Sequence, residues 1–227
     1  FGAPTTTGDD PYTHEFKSGA VTLPSIAVEV GLPEIPDFPL FTGVRANSMA
    51  FNFARSGEAQ ITVGLIGQGE TPQTVTRDVN PSQADYTRFS QFQGSVKQGG
   101  QALGNVTSAA LTYSNNLERI ETIRDDGKID GVDPGVASLS GNITVRYADT
   151  TLMDAARTGT PIDLELSYII DGSRQLVIEC HEVYLPKPKR SISGPNGIEA
   201  SYDYQGAKDA VLGNMVTITL INDVETY

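Results

Sequence analysis

Val44-Arg45-Ala46-Asn47-Ser48-Met49-Ala50-Phe51-Asn52-Phe53-Ala54-Arg55 alternates residue by residue, with Met49, Phe51 and Phe53 on one side and Ser48, Ala50, Asn52 and Ala54 on the other. A period of two marks a strand with one buried face, because successive side chains of extended backbone point to opposite sides. After Ser56-Gly57-Glu58 the alternation resumes, with Ile61, Val63 and Leu65 against Gln60, Thr62 and Gly64. Two such runs about a short glycine-containing turn predict a β-hairpin whose apolar side is turned to a core.

The same pattern recurs outward from this hairpin. In Thr107 to Ser114, Ala109, Leu111 and Tyr113 oppose Ser108, Ala110, Thr112 and Ser114; in Ser138 to Ala148, Leu139, Ile143, Val145 and Tyr147 oppose Ser140, Asn142, Thr144 and Arg146. Between them, residues 115–136 form an acidic connection longer than a usual hairpin loop, and such loops are often where contacts are made. Asp149 to Gly159 predicts one short helix, with Thr151 as N-cap, Asp154 in the first turn and Gly159 as the stop before Pro161. Its apolar residues Leu152, Met153 and Ala156 are expected on a sheet. Strands are predicted at Ile162 to Ile170, Gln175 to Leu185, Ile198 to Tyr204 and Met215 to Ile221, with a turn at Asp171-Gly172-Ser173. Residues 1–40 read as an N-terminal arm: Gly/Pro/Thr-rich and poorly ordered at first, extended over Ala20 to Val30, then broken by Pro33, Pro36 and Pro39. The arm and the 115–136 loop lack a core of their own on this reading. Residues 41–227 read as a single domain. The fold class is all-β with one short helix, an antiparallel β-sandwich or barrel.

Composition agrees with half-buried strands. Of 227 residues 38% are apolar and 7% aromatic, with no Trp. The formal charge of −12 argues against clasping a nucleic-acid backbone, whose phosphates would be repelled, although DNA could slide past such a surface without sticking. Cys180 is alone, so no intrachain disulfide and no Cys-based zinc site is expected. No run approaches the apolar length of a membrane span, and no membrane partner is expected.

Residues suited to catalysis do not converge. Cys180 and His181 are adjacent on a strand and therefore face opposite ways, which rules out a dyad. Asp126-Gly127-Lys128-Ile129-Asp130-Gly131 resembles a calcium loop but places Lys128 at a ligand position and Ala137 where the bidentate Glu belongs. Gly64 to Gly69 opens no helix and lacks the Lys-Ser/Thr of a phosphate cradle. Asp163 and Glu165 share a strand face with nothing to place a substrate between them. Lys187-Pro188-Lys189-Arg190 is too small a basic cluster for nucleic acid and is expected to meet acidic surface on a neighbouring subunit. Neither an enzyme nor a cofactor is expected.

One constellation remains. The long strands each carry an apolar face and a face of small, mostly uncharged residues, where an ordinary solvent face would favour Lys, Glu and Arg. On the pattern alone two readings stand side by side: a smooth wall, or a sandwich with a Ser/Thr-rich outer face, as in an adhesin or a carbohydrate- or receptor-binding module.

Lys17-Ser18-Gly19 through Leu23-Pro24-Ser25, Ser48 to Gly67, Thr107 to Asn116, Ser140-Gly141-Asn142-Ile143-Thr144-Val145-Arg146-Tyr147 with the helix at Thr151-Leu152-Met153-Asp154-Ala155, and Ile198 to Ala207 together resemble the phage tail tube protein family. The resemblance covers nearly the whole chain beyond the arm, through loose motifs and no catalytic signature. It departs at the proline-rich arm and the long 115–136 loop, whose contacts do not carry over. The resemblance implies a structural virion protein that forms rings, usually of six subunits, with inner hairpins joined across subunits into one β-barrel. Rings would stack into a tail tube around a tape-measure protein, with tail-terminator and baseplate or tip proteins as further partners and, in contractile tails, a sheath. DNA would pass through without specific binding. The expected location is the virion tail, after assembly in the host cytoplasm. On this reading Ser48, Ala50, Asn52, Gln60, Thr62, Ser108, Ala110, Thr112, Ser140, Asn142 and Thr144 line the channel. Arg146 shares their parity and is expected at the channel's end or beside an acidic neighbour.

Overall fold

In the computed structural model, residues 1–81, 87–146, 150–187 and 198–226 are described. The chain is mostly antiparallel β-sheet with one short helix. From the N-terminus come β1 (Thr5–Thr7), β2 (Tyr12–Lys17), β3 (Ile26–Glu29), β4 (Leu40–Phe53), β5 (Gln60–Ile66) and β6 (Gly69–Thr71). A 3-10 turn at Gln91–Gln93 leads into β7 (Gly94–Gln98), β8 (Gln101–Ala102) and β9 (Val106–Ser114). Then follow β10 (Glu118–Ile120), β11 (Gly131–Asp133), β12 (Ser138–Arg146) and α1 (Thr151–Thr158). The chain closes with β13 (Ile162–Asp171), β14 (Arg174–Tyr184), β15 (Glu199–Ala207) and β16 (Val216–Asn222).

One hydrogen-bonded path runs β1-β2-β16-β14-β15-β12-β9-β4-β3, with β5 on β4 and β13 bridging β14 to β7. It does not return on itself, so the single chain is not a closed barrel. The apolar faces of β5's partner β4, of β9, β12 and β15 meet those of β13, β14 and β16 across one core. Phe51, Phe53, Leu111, Tyr113, Ile143, Tyr202 and Tyr204 pack with Leu164, Leu166, Tyr168, Ile178, Val183 and Val216. Phe53 stacks on Tyr168 at 4.4 Å between ring centroids.

The hairpin read from the sequence is β4–β5, paired from Asn52↔Gln60 to Arg45↔Ile66 with a register shift between Ala46 and Ser48. The helix begins with Thr150, one residue earlier than read, as its cap, and ends on Gly159 in the left-handed conformation that glycine tolerates best. Leu152, Met153 and Ala156 are buried as expected.

Two expectations are corrected. The stretch from Phe1 to Asp10, expected to be poorly ordered, contains β1, which pairs with β2, and β2 pairs with β16 along its whole length. His14 is buried, with Nδ1 2.9 Å from Thr6 Oγ1 and Nε2 2.8 Å from the Val224 carbonyl oxygen, tying both ends of the chain together. Ser18 Oγ accepts from the backbone N–H of Met215 and Val216, at 3.0 Å each. The physical reason is that polar residues of low intrinsic order become a strand once a sheet edge, here β16, is available to them. The 115–136 loop is also packed within the chain, in a small cluster shared with other segments. It folds as the β10–β11 hairpin, with Leu117, Val132 and Leu23 buried together against Ala20, Ile66 and Ile129. Asn47 Oδ1 accepts from the Leu117 N–H at 2.8 Å and holds the hairpin to β4. Of the basic cluster, Pro188, Lys189 and Arg190 lie outside the described residues, as does Tyr147.

The far end of the β4–β5 hairpin is anchored by Gln91, which is buried. Its Nε2 donates to the Asn52 carbonyl oxygen at 2.8 Å, while its Oε1 accepts from the Ala54 N–H at 3.0 Å and from the Tyr168 hydroxyl at 2.9 Å. Gln91→Leu keeps the volume but strands these partners, and is expected to cost about 3 kcal/mol. The check is the urea midpoint; an unchanged midpoint would show that the anchor contributes nothing.

Candidate functional site

The small polar face is continuous across five strands, β5-β4-β9-β12-β15, because antiparallel register keeps residues of like parity opposite one another. One cross-strand row is Gln60, Asn52, Ala110, Asn142 and Asp203; the next is Thr62, Ala50, Thr112, Ser140 and Gln205. Ser108, Thr144 and Ser201 form a third, and Ser48 and Ser114 flank these. All eleven residues predicted for this face thus belong to one surface. Asn52, Gln60, Thr62, Thr112, Ser140 and Asn142 are exposed, the others half-buried.

Two features escaped the sequence reading. The first is β15, which adds Glu199, Ser201, Asp203 and Gln205, all exposed, to the same face. Their alternation with buried Ala200, Tyr202 and Tyr204 was visible in the sequence, but β15's place beside β12 was not. This strand brings carboxylates to a face that otherwise holds few charges, and sets Glu199 opposite Arg146 in register. The second is that the apolar side of β5 is uncovered. Ile61, Val63 and Leu65, expected in the core, are 50%, 47% and 48% exposed. The cause is tertiary: among the described residues β5 pairs with β4 alone, and its Val63 lines an open recess of about 290 Å³. Phe1, Phe16, Leu23, Met49, Val63 and Ile218 are among the residues lining that recess.

Several polar groups elsewhere are occupied with one another. The Arg124 guanidinium donates to both carboxylate oxygens of Asp126 at 2.8 Å and to Asp130 Oδ1 at 2.9 Å. These bonds hold Asp126 well below the usual carboxylate range. Lys97 Nζ meets Glu165 Oε1 at 2.7 Å. Burial pushes the Cys180 thiol upward, away from a reactive thiolate, and His181 Nε2 lies 2.7 Å from Thr217 Oγ1 instead. Among the described residues no group of His, Cys, Asp or Glu is placed to hold a metal ion, and no helix is long and apolar enough to cross a membrane.

A face this wide, made of short side chains on an uninterrupted sheet, is built as a surface and not as a cleft. The family model described as phage tail tube protein matches residues 1–206. The chain belongs to the phage tail tube protein family. No curated protein matches it. Membership makes the chain a structural component of the virion tail that assembles with other tail components. The typical member of this structural family is not an enzyme.

Proposed function

We propose that the chain polymerises as stacked rings, six subunits to a ring, into the tube through which phage DNA enters the host, and that the five-strand polar face lines its channel. The observation that carries this reading is the continuity of that face across β5, β4, β9, β12 and β15. Side chains this short keep a bore wide and offer few cations to DNA, so passage need not break ion pairs. Asp203 and Glu199 on β15 add repulsion toward phosphates, in keeping with the formal charge of −12. The tape-measure, tail-terminator and baseplate or tip proteins are its partners, because head-to-tail stacking is open-ended and length must be set from outside.

Electron microscopy of the concentrated protein is expected to show rings or tubes; dispersed monomers at every concentration would overturn the assembly. Asn52→Lys, Thr62→Lys and Thr112→Lys together test the lining. All three positions are exposed, so the fold should persist. Tubes should form, and their added cations should slow DNA passage in a manner relieved by salt, since each phosphate contact steepens the salt dependence. Failure to form tubes would place these residues in a subunit interface instead.

A further inference from the structure

An open pocket of about 510 Å³ lies across the core from the polar face, on the outer side of β13, β14, β16 and β2. One cross-strand row at this pocket reads Lys97, Glu165, Glu179, Thr217 and Lys17. Glu165 and Glu179 thus stand directly opposite each other, a like-charge pair that destabilises a sheet unless cations offset it. Lys97 meets Glu165 at 2.7 Å and Lys17 meets Glu15 at 2.8 Å. Among the described residues neither Glu179 nor Asp163, on the same side of β13 as Glu165, has an ion-pair partner. Asp209 also lines the pocket, and only its Oδ1 is engaged, by the backbone N–H of Val211 and Leu212. Cations therefore fall short of carboxylates here.

Asn214 points to a ligand independently of charge. It lines the same pocket and is 4% exposed. Its Nδ2 donates to the Val216 carbonyl oxygen at 3.0 Å and to Thr217 Oγ1 at 2.8 Å, which fixes the orientation of the amide. Its Oδ1 is left as a buried acceptor with no donor among the described residues, a costly state that a donor entering the pocket relieves. We infer that the pocket binds a primary ammonium carried on a short alkyl stem. An ammonium has three donors and no acceptor, so it serves carboxylates and an amide oxygen together. Among the described residues no carboxylates or imidazoles are grouped to hold a metal ion, which favours a larger cation. The stem has its own place. Gly99 and Gly100 leave one wall without side chains, and Leu212, 58% exposed, offers an apolar contact. Such a site does not depend on tube assembly.

Calorimetric titration of the full chain with cadaverine, an alkyl diamine, tests the site at low salt. Saturable binding is expected. The analogue with both ammoniums permethylated keeps the charge and length but has no N–H, and should bind about tenfold more weakly or worse. Glu179→Gln, at an exposed position, should weaken cadaverine to a similar extent. Glu121→Gln removes the same charge from an exposed position outside the pocket and should change affinity by less than about twofold. Nα-acetyl-lysine amide separates the sources: tighter binding than cadaverine assigns the pocket to a lysine side chain of a partner protein, weaker binding to a free diamine. Equal affinity for the permethylated analogue, or equal losses from the two substitutions, would reduce the effect to diffuse attraction by an acidic chain and overturn the inference. So would a titration that never saturates.

Discussion

Gly141→Val is expected to abolish cooperative folding or to lower stability by about 4 kcal/mol or more, from overpacking and a lost buried hydrogen bond together. Gly141 sits on the core side of β12, in line with buried Leu139 and Ile143. It is paired with Tyr204 on one side and Leu111 on the other. The Tyr204 side chain crosses over it, and its hydroxyl donates to the Ala110 carbonyl oxygen at 2.9 Å. A Cβ on residue 141 would land on that carbonyl oxygen and on the Tyr204 ring. Neither can give way easily, because one is sheet backbone and the other is a fully buried ring. Tyr204→Phe separates the terms. It removes the hydroxyl and leaves the ring, so a loss of about 1–2 kcal/mol is expected. Denaturant unfolding of both variants decides it; a Gly141→Val protein with wild-type midpoint would refute the packing described.

Leu152→Asp should be nearly as damaging. Leu152 is 4% exposed on α1 and packs in the main core with Ala156, Ile162 and Ala200. Aspartate there loses the apolar contact and buries a carboxylate in an apolar core, a cost of about 4 kcal/mol or more. The helix itself is only eight residues, too short to persist without its contact on the sheet. Arg157→Ala on the exposed side of the same helix, which removes only an exposed ion pair to Asp154 at 3.0 Å, should cost under about 0.5 kcal/mol. Thermal melts of the two variants should therefore diverge sharply, and equal melting temperatures would count against the docking of α1.

Much of the fold was legible because strand parity is local. Phe51, Leu111, Ile143 and Leu164 announce their buried sides within a few residues, and Leu152, Met153 and Ala156 do so for the helix. The same locality explains the misreadings. Ile61, Val63 and Leu65 have the parity of core residues, but parity cannot say whether anything lies beneath them. Tyr12–Lys17 looks unremarkable until β16, from the other end of the chain, pairs with it. Leu117 and Val132 have few apolar neighbours in sequence; Leu23 supplies the third side of their cluster.

The sequence by itself determined that this is a β protein with small polar faces and one short helix, because alternation, capping and residue type act over a few bonds. Only the tertiary structure decided that eleven of those residues, with Glu199, Ser201, Asp203 and Gln205, form one surface. Strand order arises from pairings between distant segments, such as Tyr204 with Ala110, which are 94 residues apart. No local period encodes which of many compatible strands will lie alongside, so that choice is made by the core as it packs.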